Sequence, residues 1–554
     1  MSKPLFFILI IIIIPAILFA EISSNKYPPS TSPSPATPEM IRVKLEQLSV
    51  DSIPMIAGER FHSIEYISNL YKQNEFKPFW TEPEYIDDAI KGIISSYEDG
   101  LIPHDYHLES ILVLRNDIDH APWGIEEKKV KMAELELLLT DGIIFYAYHI
   151  LYGKIDPETL ILTWNFAFSP IPDLNPATLT QYITNREIPA RLSDLRPDMP
   201  AYDTLLTILA QYREIAGNGG WQAIPSGGKI KPGDLNSRIP AIRKRLLITG
   251  ELSEPDSVNS SLYDEILEQD IKAFQSAHAL DTDGVIGVGT FRELSISVEE
   301  RIGALRVNLE RVRWVARNLP DSYIIVNIAA FELLMIKDKQ IILYTPVVVG
   351  KPLNKTPVFR EMMRYIEFNP TWTLPTSIIK NEIIPKLKKD TSYLEKEHMV
   401  LLDRKGNLVQ TSSIDMKKIS ANHFPYIVRQ EPGSWNALGE MKFMFPNKYD
   451  IYLHDTPSKS LFKRSSRAYS HGCIRVSKPM DLAEKLLAGT DYDRDSINQI
   501  VGTHITTRVK LPEPMDILLI YWTCGIDRNG KLFFVPDIYD RDQPVLRDLD
   551  RLMR

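Results

Sequence analysis

The chain has 554 residues, enough for about three or four domains of ordinary size. It is 44% hydrophobic and 25% charged with a formal net charge of -8, which is an ordinary globular balance without the basic stripe of a nucleic-acid binder. Its two cysteines are too few for a disulfide-rich fold.

The N-terminal segment predicts export. It reads MSKPLFFILIIIIIPAILFA, in which one Lys precedes an uninterrupted apolar run. Such a run is typical of a signal peptide or an uncleaved signal anchor, and we interpret residues 1–22 as one of these, with a slight preference for the anchor. The bulk of the chain is then exported, and it is held to the membrane if the segment is uncleaved; with the resemblance described below, this implies the periplasm and an anchor in the inner membrane. The Pro/Ser-rich residues 23–40 predict an extended linker.

The next two regions are helical. Apolar residues at three- and four-residue steps dominate residues 41–225, and they predict a well-buried helix over 131–153. After a Gly-rich connector, residues 231–296 predict a small helical unit. Its amphipathic helices are expected at Ile239–Leu247 and Glu265–Ala277, followed by a tight glycine loop and a final helix.

From Tyr323 onward the pattern changes to short, β-rich segments separated by turns. Hairpin tips are expected at Asp338–Lys339 and at Asp527–Gly530. Between Pro375 and Pro432 the strand signal fades into helical stretches rich in Lys and Asp. This part is interpreted as an insertion into a β domain.

One segment carries candidate chemistry, YLHDTPSKSLFKRSSRAYSHGCIRV (452–476). Cys473 lies at a strand-to-helix transition, where a thiolate could be favoured by imidazole, by Arg and by backbone N–H groups. His454 ends a predicted strand, and the loop between them could return Cys473 beside it as nucleophile beside base. Arg475 would share a strand face with Cys473. From the residues alone, an inert core thiol and a disulfide with Cys524 both stay open.

A resemblance favours catalysis. His454, fifteen residues, and then SHGCIR (470–475) resemble the signature of the L,D-transpeptidase catalytic domain. The segments VVVGKPLNKTPVF, NPTWTLP, EPGSWNALGEMKF and DRNGKLFFVPDIYDRD resemble the large Gram-negative, YcbB-type enzymes. Residues 76–107 and 140–155 resemble the helical scaffold domain of those enzymes, and KAFQSAHALDTDGVIG (272–287) resembles a peptidoglycan-binding module.

The resemblance implies a multidomain α+β protein. Its expected parts are a helical scaffold domain, a three-helix peptidoglycan-binding module and a mostly-β catalytic domain carrying an inserted cap subdomain. A C-terminal strand or extension would pack on the catalytic or the scaffold domain. The expected bounds are 41–225 for the scaffold, 231–296 for the module, 300–512 for the catalytic domain with its cap at 376–430, and 513–554 for the extension.

The resemblance also implies the reaction. Cys473 would attack the peptide carbonyl at position three of a donor tetrapeptide stem, release D-Ala, and pass the acyl group to the diaminopimelate amine of a second stem as a 3→3 cross-link. His454 would act as base and acid, and the N–H groups of Gly472 and Cys473 would form the oxyanion hole. Other residues expected to shape the site or bind substrate are Ser470, His471, Arg475, Tyr452, Trp435 and Asn436.

Several related points are expectations. Asp455 should face away from His454 on an extended strand, so a backbone carbonyl is expected to orient the imidazole instead of a carboxylate. No cofactor or metal is expected, because His471 and Cys473 are spaced too closely for ordinary zinc motifs. Partners are peptidoglycan stems and glycan, with cell-wall synthesis proteins as candidates. Carboxypeptidase, lipoprotein-anchoring and non-catalytic binding roles stay open as alternatives.

Overall fold

A computed structural model describes residues 36–120, 122–166, 174–225, 227–317, 319–411, 414 and 424–553. The predicted signal segment, most of the predicted linker and part of the predicted cap lie outside these ranges. The chain forms two compact units. The first contains the described residues up to Lys154 together with 174–196 and 550–553, and the second contains the remaining described residues.

The first unit is almost entirely helical. Its elements in chain order are α1 (Pro38–Val50), β1 (Met55–Ile56), β2 (Glu59–Arg60), α2 (Ile64–Gln73), α3 (Pro83–Ser95), α4 (Leu108–His120), α5 (Ile125–Tyr152), α6 (Pro176–Thr184) and α7 (Ile188–Asp194). The two short strands form an antiparallel ribbon.

Helix α5 is the core of this unit and confirms the predicted buried helix, beginning six residues earlier than expected. By length and composition it could cross a membrane, but 78% of its most apolar stretch is buried inside the fold. A core helix must satisfy its polar groups internally. Buried Glu136 does so by accepting hydrogen bonds from the backbone N–H groups of Phe79 and Trp80, at 2.6 and 3.1 Å.

The second unit opens with five helices. They are α8 (Pro200–Gly217), α9 (Ile239–Ile248), α10 (Glu265–Ala277), α11 (Val288–Ser295) and α12 (Val298–Ala316). Helices α9 to α11 enclose their own apolar core and match the three helices expected between 231 and 296. Helix α8 shares a core with α12 through Leu205, Leu209, Leu305 and Leu309. The expected scaffold range 41–225 therefore does not coincide with the first unit.

A nine-stranded sheet dominates the rest of this unit. Its strands are β3 (Tyr323–Asn327), β4 (Glu332–Lys337), β5 (Gln340–Gly350), β6 (Phe359–Phe368), β11 (Met441–Met444), β12 (Leu453–His454), β13 (Ala468–Ser470), β14 (Ile474–Val476) and β15 (Thr507–Ile520). Their order in the sheet is β13-β5-β14-β12-β11-β6-β15-β3-β4. Strand β4 also pairs with β5, so the sheet closes on itself.

The position of strand β15 shows that the expected end of the catalytic domain at residue 512 is wrong. Strand β15 pairs with β6 and β3 inside the sheet, so a domain end at residue 512 would cut through a central strand. The remaining elements are α16 (Pro479–Leu486), α17 (Arg494–Gly502), β16 (Cys524–Ile526), β17 (Leu532–Phe534) and α18 (Asp542–Asp550). Both expected hairpin tips are confirmed: Asp338 and Lys339 join β4 to β5 with φ of 50° and 61°, and Gly530, with φ of 76°, lies between β16 and β17.

The insertion forms a small layer of its own. Its four-stranded sheet has the order β7-β10-β8-β9, with strands β7 (Trp372–Thr373), β8 (Met399–Leu402), β9 (Leu408–Val409) and β10 (Ile427–Gln430). Beside it lie α13 (Thr376–Ile378), a π-helical turn (Ile379–Ile383), α14 (Ile384–Lys389) and α15 (Tyr393–Lys396), around a separate apolar core. The sequence predicted the helices here, but it did not predict strands β8 to β10.

The packing of α5 gives a stability test. A Cβ atom on Gly142 would lie 2.6 Å from the backbone carbonyl oxygen of Tyr106, so Gly142→Ala forces the backbone to move. We expect it to lower the free energy of unfolding by about 1–3 kcal/mol. Gly217→Ala is the matched control, because its Cβ meets nothing within 4 Å. Urea unfolding of the full chain should show a lower midpoint for the first variant only.

Candidate active site

Strand register separates two rows of side chains on β6, β11, β12 and β14. The alternation of apolar and polar residues puts one row into the core, where Ile366, Phe443, Leu453 and Ile474 lie opposite one another and are buried. The next row along the same strands consists of Glu367, Lys442, His454 and Arg475. The second row therefore lies on the opposite face of the sheet. We call this face, defined by Glu367, Lys442, His454 and Arg475, the site face, because it carries the candidate chemistry.

Cys473 directly precedes β14 and follows Gly472, whose φ of 125° strongly favours glycine. Its partly exposed thiol donates a hydrogen bond to the carbonyl oxygen of Asp450, with a sulfur–oxygen distance of 3.5 Å. Burial raises the pKa of the Cys473 thiol above its ordinary value, although contact with Tyr452 opposes this. The raised pKa favours the neutral thiol over the thiolate. Neither Cys473 nor Cys524 forms a disulfide.

His454 is 4% exposed, and its Nδ1 lies 2.5 Å from the backbone carbonyl oxygen of Asp455. That contact requires the proton on Nδ1 and leaves the lone pair on Nε2. Burial, reinforced by the positive charge of Arg475, lowers the pKa of His454 to about 3. The expected backbone-carbonyl orienter is therefore present. The sequence also predicted an environment that favours a thiolate, and the structure does not show one, because the pKa shifts of Cys473 and His454 both favour the uncharged forms.

The carboxylate of Asp455 is directed elsewhere, as its strand position predicted. It accepts a hydrogen bond from the backbone N–H of Glu440 at 3.1 Å and forms an ion pair with Lys459. Its side chain also packs against Gly439. Asp455 thus fixes the turn before β11, while its main chain positions the imidazole.

Hydrogen bonds hold the loop that carries the nucleophile. Ser470 Oγ donates to the carbonyl oxygen of Cys473 at 2.5 Å and accepts from the N–H of Gly472 at 3.1 Å. This corrects the expected oxyanion hole, because the Gly472 N–H is already committed to Ser470. The N–H of Cys473 makes no hydrogen bond to any residue that the structure describes, which leaves it as the candidate donor.

Two residues outside the predicted set brace the same loop. Thr356 Oγ1 donates to the carbonyl oxygen of Gly472 at 2.7 Å. The hydroxyl of Tyr539 accepts from the N–H of Thr356 at 3.1 Å and donates to the carbonyl oxygen of Gly350 at 2.5 Å. Both lie in segments whose resemblance was noted, but no spacing rule connects positions this far apart in the chain.

The insertion contacts the site at two points. His471 Nε2 lies 2.8 Å from Glu382 Oε1 in the π-helical turn. The ring of Trp435, 44% exposed, stacks on His398 with centroids 4.0 Å apart. Trp435 therefore remains available as a wall residue, and His471 links the nucleophile loop to the insertion.

The structure does not support the expected role of Asn436 in substrate binding. Its side chain is 0% exposed, and its amide donates to the carbonyl oxygens of Pro370 and Glu431 at 3.0 Å each. Its side-chain oxygen accepts from the N–H of Leu438 at 2.8 Å. Asn436 therefore shapes the loop before β11 from within and is not exposed to a substrate.

Tyr452, Arg475 and Lys442 complete the surroundings of the pair. The Tyr452 ring packs against His454 with centroids 5.7 Å apart. Arg475 is half-buried, and its Nε has no hydrogen-bond partner. Lys442, which sequence reasoning missed, lies opposite His454 on β11 with its Nζ 4.1 Å from the centroid of the Tyr452 ring. The alternation in MKFM beside the YLH strand was the signal that could have found it.

Two family matches cover this arrangement. Residues 321–501 match the YkuD family, the L,D-transpeptidase catalytic domain, and include every candidate site residue named above except Tyr539. Residues 65–209 match the Scaffold domain family.

One curated relative is similar to this chain in sequence. A candidate L,D-transpeptidase of Haemophilus influenzae is 37% identical over 243 residues, which are 44% of this chain and 48% of that protein. The chain thus spans about half the length of this curated relative.

Solved structures include an L,D-transpeptidase from Mycobacterium smegmatis, 14% identical over 36% of this chain and 58% of that one, with a TM-score of 0.18. Another is a mutant Enterococcus faecium L,D-transpeptidase, 15% identical over 36% of this chain and 50% of that one, with a TM-score of 0.17. TM-scores this low do not establish a likeness by themselves. On the family matches, the chain has the YcbB-type architecture of L,D-transpeptidases, a Scaffold domain followed by a YkuD catalytic domain.

Proposed function

We propose that this protein is a periplasmic L,D-transpeptidase that forms 3→3 peptidoglycan cross-links through a Cys473 thioester. The observation that carries the proposal is the site face itself. A partly exposed thiol lies beside β12, on which His454 is held in one tautomer by the Asp455 carbonyl, with Arg475 next along β14. A nucleophile, an oriented base and an adjacent cation suit acyl transfer from an anionic peptide.

Acylation follows from the neutral pair. His454 Nε2 accepts the thiol proton as Cys473 Sγ attacks the carbonyl carbon of the third residue of a donor tetrapeptide. The Cys473 N–H is the candidate donor to the resulting oxyanion, an interaction typically worth about 3–4 kcal/mol. As the C–N bond breaks, the imidazolium returns the proton to the leaving amine of D-Ala. A thioester and neutral His454 remain.

In deacylation the acyl group passes from Cys473 to the acceptor amine. The diaminopimelate amine of a second stem attacks the thioester carbonyl and loses a proton to His454. The new C–N bond forms, the C–S bond breaks, and the imidazolium returns its proton to the thiolate of Cys473. Because His454 is neutral at rest, it can serve as base in both half-reactions without first being deprotonated.

The surroundings supply recognition. Arg475 makes no ion pair with a described residue and is our candidate for a stem carboxylate. The insertion, which contacts His471 through Glu382, is the candidate cover over a bound stem. An N-terminal anchor, glycan contact by α9 to α11 and association with cell-wall synthesis proteins belong to the same proposal.

The function is tested by mixing the full chain with disaccharide-tetrapeptide and analysing the products by mass spectrometry, beside Cys473→Ala. We expect a dimer lighter by one D-Ala, absent with the variant. Tripeptide without dimer would mean that water is the acceptor and that the protein is an L,D-carboxypeptidase. No product from a folded wild-type chain, even with membrane or lipoprotein acceptors added, would contradict the proposal.

The roles of His454 and Asp455 separate in a second test. We expect His454→Gln to slow acylation by about 10²–10⁴-fold, because the base is lost. Asp455→Asn should retain most of the wild-type rate, because the carbonyl that holds Nδ1 belongs to the main chain. Single-turnover release of D-Ala measures both. Equal losses in two folded variants would show that the carboxylate itself is needed.

The neutral pair predicts an unusual pH profile. Since burial raises the thiol pKa, the thiolate fraction should fall about tenfold for each pH unit below it. Alkylation of Cys473 by iodoacetamide, followed on its peptide by mass spectrometry, should therefore keep rising beyond pH 9. It should show no inflection near pH 6.5, because the pKa of His454 is far lower. A plateau from about pH 6 would instead reveal a thiolate–imidazolium pair.

A further inference from the structure

Lys442 occupies a central place on the site face. On β11 it lies directly opposite His454 on one side and Glu367 on the other. His454 in turn lies opposite Arg475 on β14. Residues opposite one another in paired strands share a face, so Lys442 and Arg475 lie on either side of the imidazole, one strand away from it in each direction.

The Lys442 ammonium forms no ion pair with a described residue, and the carboxylates of Glu367 and Asp450 act on it only at longer range. It is half-buried, and its Nζ packs over the Tyr452 ring at 4.1 Å. The carboxylate opposite it, Glu367, forms its ion pair with Arg508 at 3.3 Å. No ion pair joins Lys442 to any carboxylate that the structure describes. A half-buried cation without an ion pair is costly, and an anionic ligand would offset that cost.

Arg475 repeats this arrangement on the other side. It is half-buried, its Nε has no partner, and it makes no ion pair within the described ranges. Two strand spacings separate β11 from β14, which places the two cations about 10 Å apart at the main chain. Their long side chains allow them to meet one ligand at two points. Cys473 lies along the edge of the same area, just before β14.

We infer that Lys442 and Arg475 form a two-point anion subsite, in which Lys442 binds a carboxylate of the donor stem and so sets specificity for acidic stems. This inference rests on the proposed function for the identity of the ligand. A tetrapeptide donor stem with diaminopimelate as its third residue offers two carboxylates close to the scissile bond, one on the terminal D-Ala and one on the diaminopimelate side chain. Lys442 is a binding residue here and takes no part in proton transfer.

The test compares three donors with the full chain: disaccharide-tetrapeptide, its D-Ala carboxamide and its diaminopimelate side-chain carboxamide. For the acidic donor, Lys442→Met should lower kcat/KM for acylation by about ten- to a hundredfold. One of the two carboxamides lacks the carboxylate that Lys442 binds, and for that donor Lys442→Met should change kcat/KM little. Which carboxamide behaves in this way shows which carboxylate Lys442 binds. Lys442→Arg should restore part of the loss.

Lys510→Met is the matched control, since Lys510 is an exposed lysine on β15, two strands from β11. It should leave all three rates unchanged. Iodoacetamide alkylation of Cys473 in Lys442→Met checks that the nucleophile loop is intact. An equal loss on all three donors, or no loss on any, would overturn the inference.

Binding separates this inference from the proposed function. Titration calorimetry compares Cys473→Ala with the double variant Cys473→Ala, Lys442→Met, using disaccharide-tetrapeptide as the ligand. The double variant should bind the ligand more weakly. Added salt should weaken binding more in Cys473→Ala, which keeps Lys442, than in the double variant. If the wild type binds the stem through Lys442 but forms no product, the subsite stands and the function fails. If turnover occurs and binding ignores Lys442, the subsite fails alone.

Discussion

The site depends on the parallel register between β12 and β14. It sets Leu453 against Ile474 in the core and His454 against Arg475 on the opposite face. A slip of one residue would exchange these faces, burying the guanidinium and exposing two apolar side chains. The apolar row therefore fixes the position of the catalytic row, since the burial that stabilises the sheet also forbids any other alignment of the imidazole with the nucleophile loop.

Burial has a second effect on the same residues. The sheet face that aligns the thiol and the imidazole also removes them from water, and both pKa shifts then favour the uncharged forms. The site thus holds its charge on Lys442 and Arg475, beside the reacting pair. Neither cation forms an ion pair with a described residue, so the stem carboxylate inferred above would meet both beside the reacting pair.

The sequence predicted this site unevenly, for physical reasons. The spacing from His454 to SHGCIR predicted that His454 and Cys473 act as a pair, which stays a prediction, whereas strand alternation correctly predicted that Asp455 is turned away. Local patterns could not reveal that Ser470 takes the Gly472 N–H, or that Asn436 is enclosed, because both follow from how loops close on each other. The charge state of the pair also escaped prediction, since desolvation is set by the whole fold. The domain limit at 512 was wrong because strand β15 pairs with strands that are distant in the chain.

The brace from Tyr539 to Thr356 and Gly472 bears on biogenesis. Tyr539 follows the whole catalytic motif and lies near the C-terminus, so it leaves the ribosome after every other part of the site. Until it docks, neither the Gly350 carbonyl nor the Thr356 N–H has its partner, and the loop bearing Cys473 lacks one of its supports. A chain synthesised only as far as the residue before Tyr539 therefore carries a nucleophile loop without this support. Folding of the loop around Cys473 is thus coupled to a segment that is synthesised later than the rest of the site.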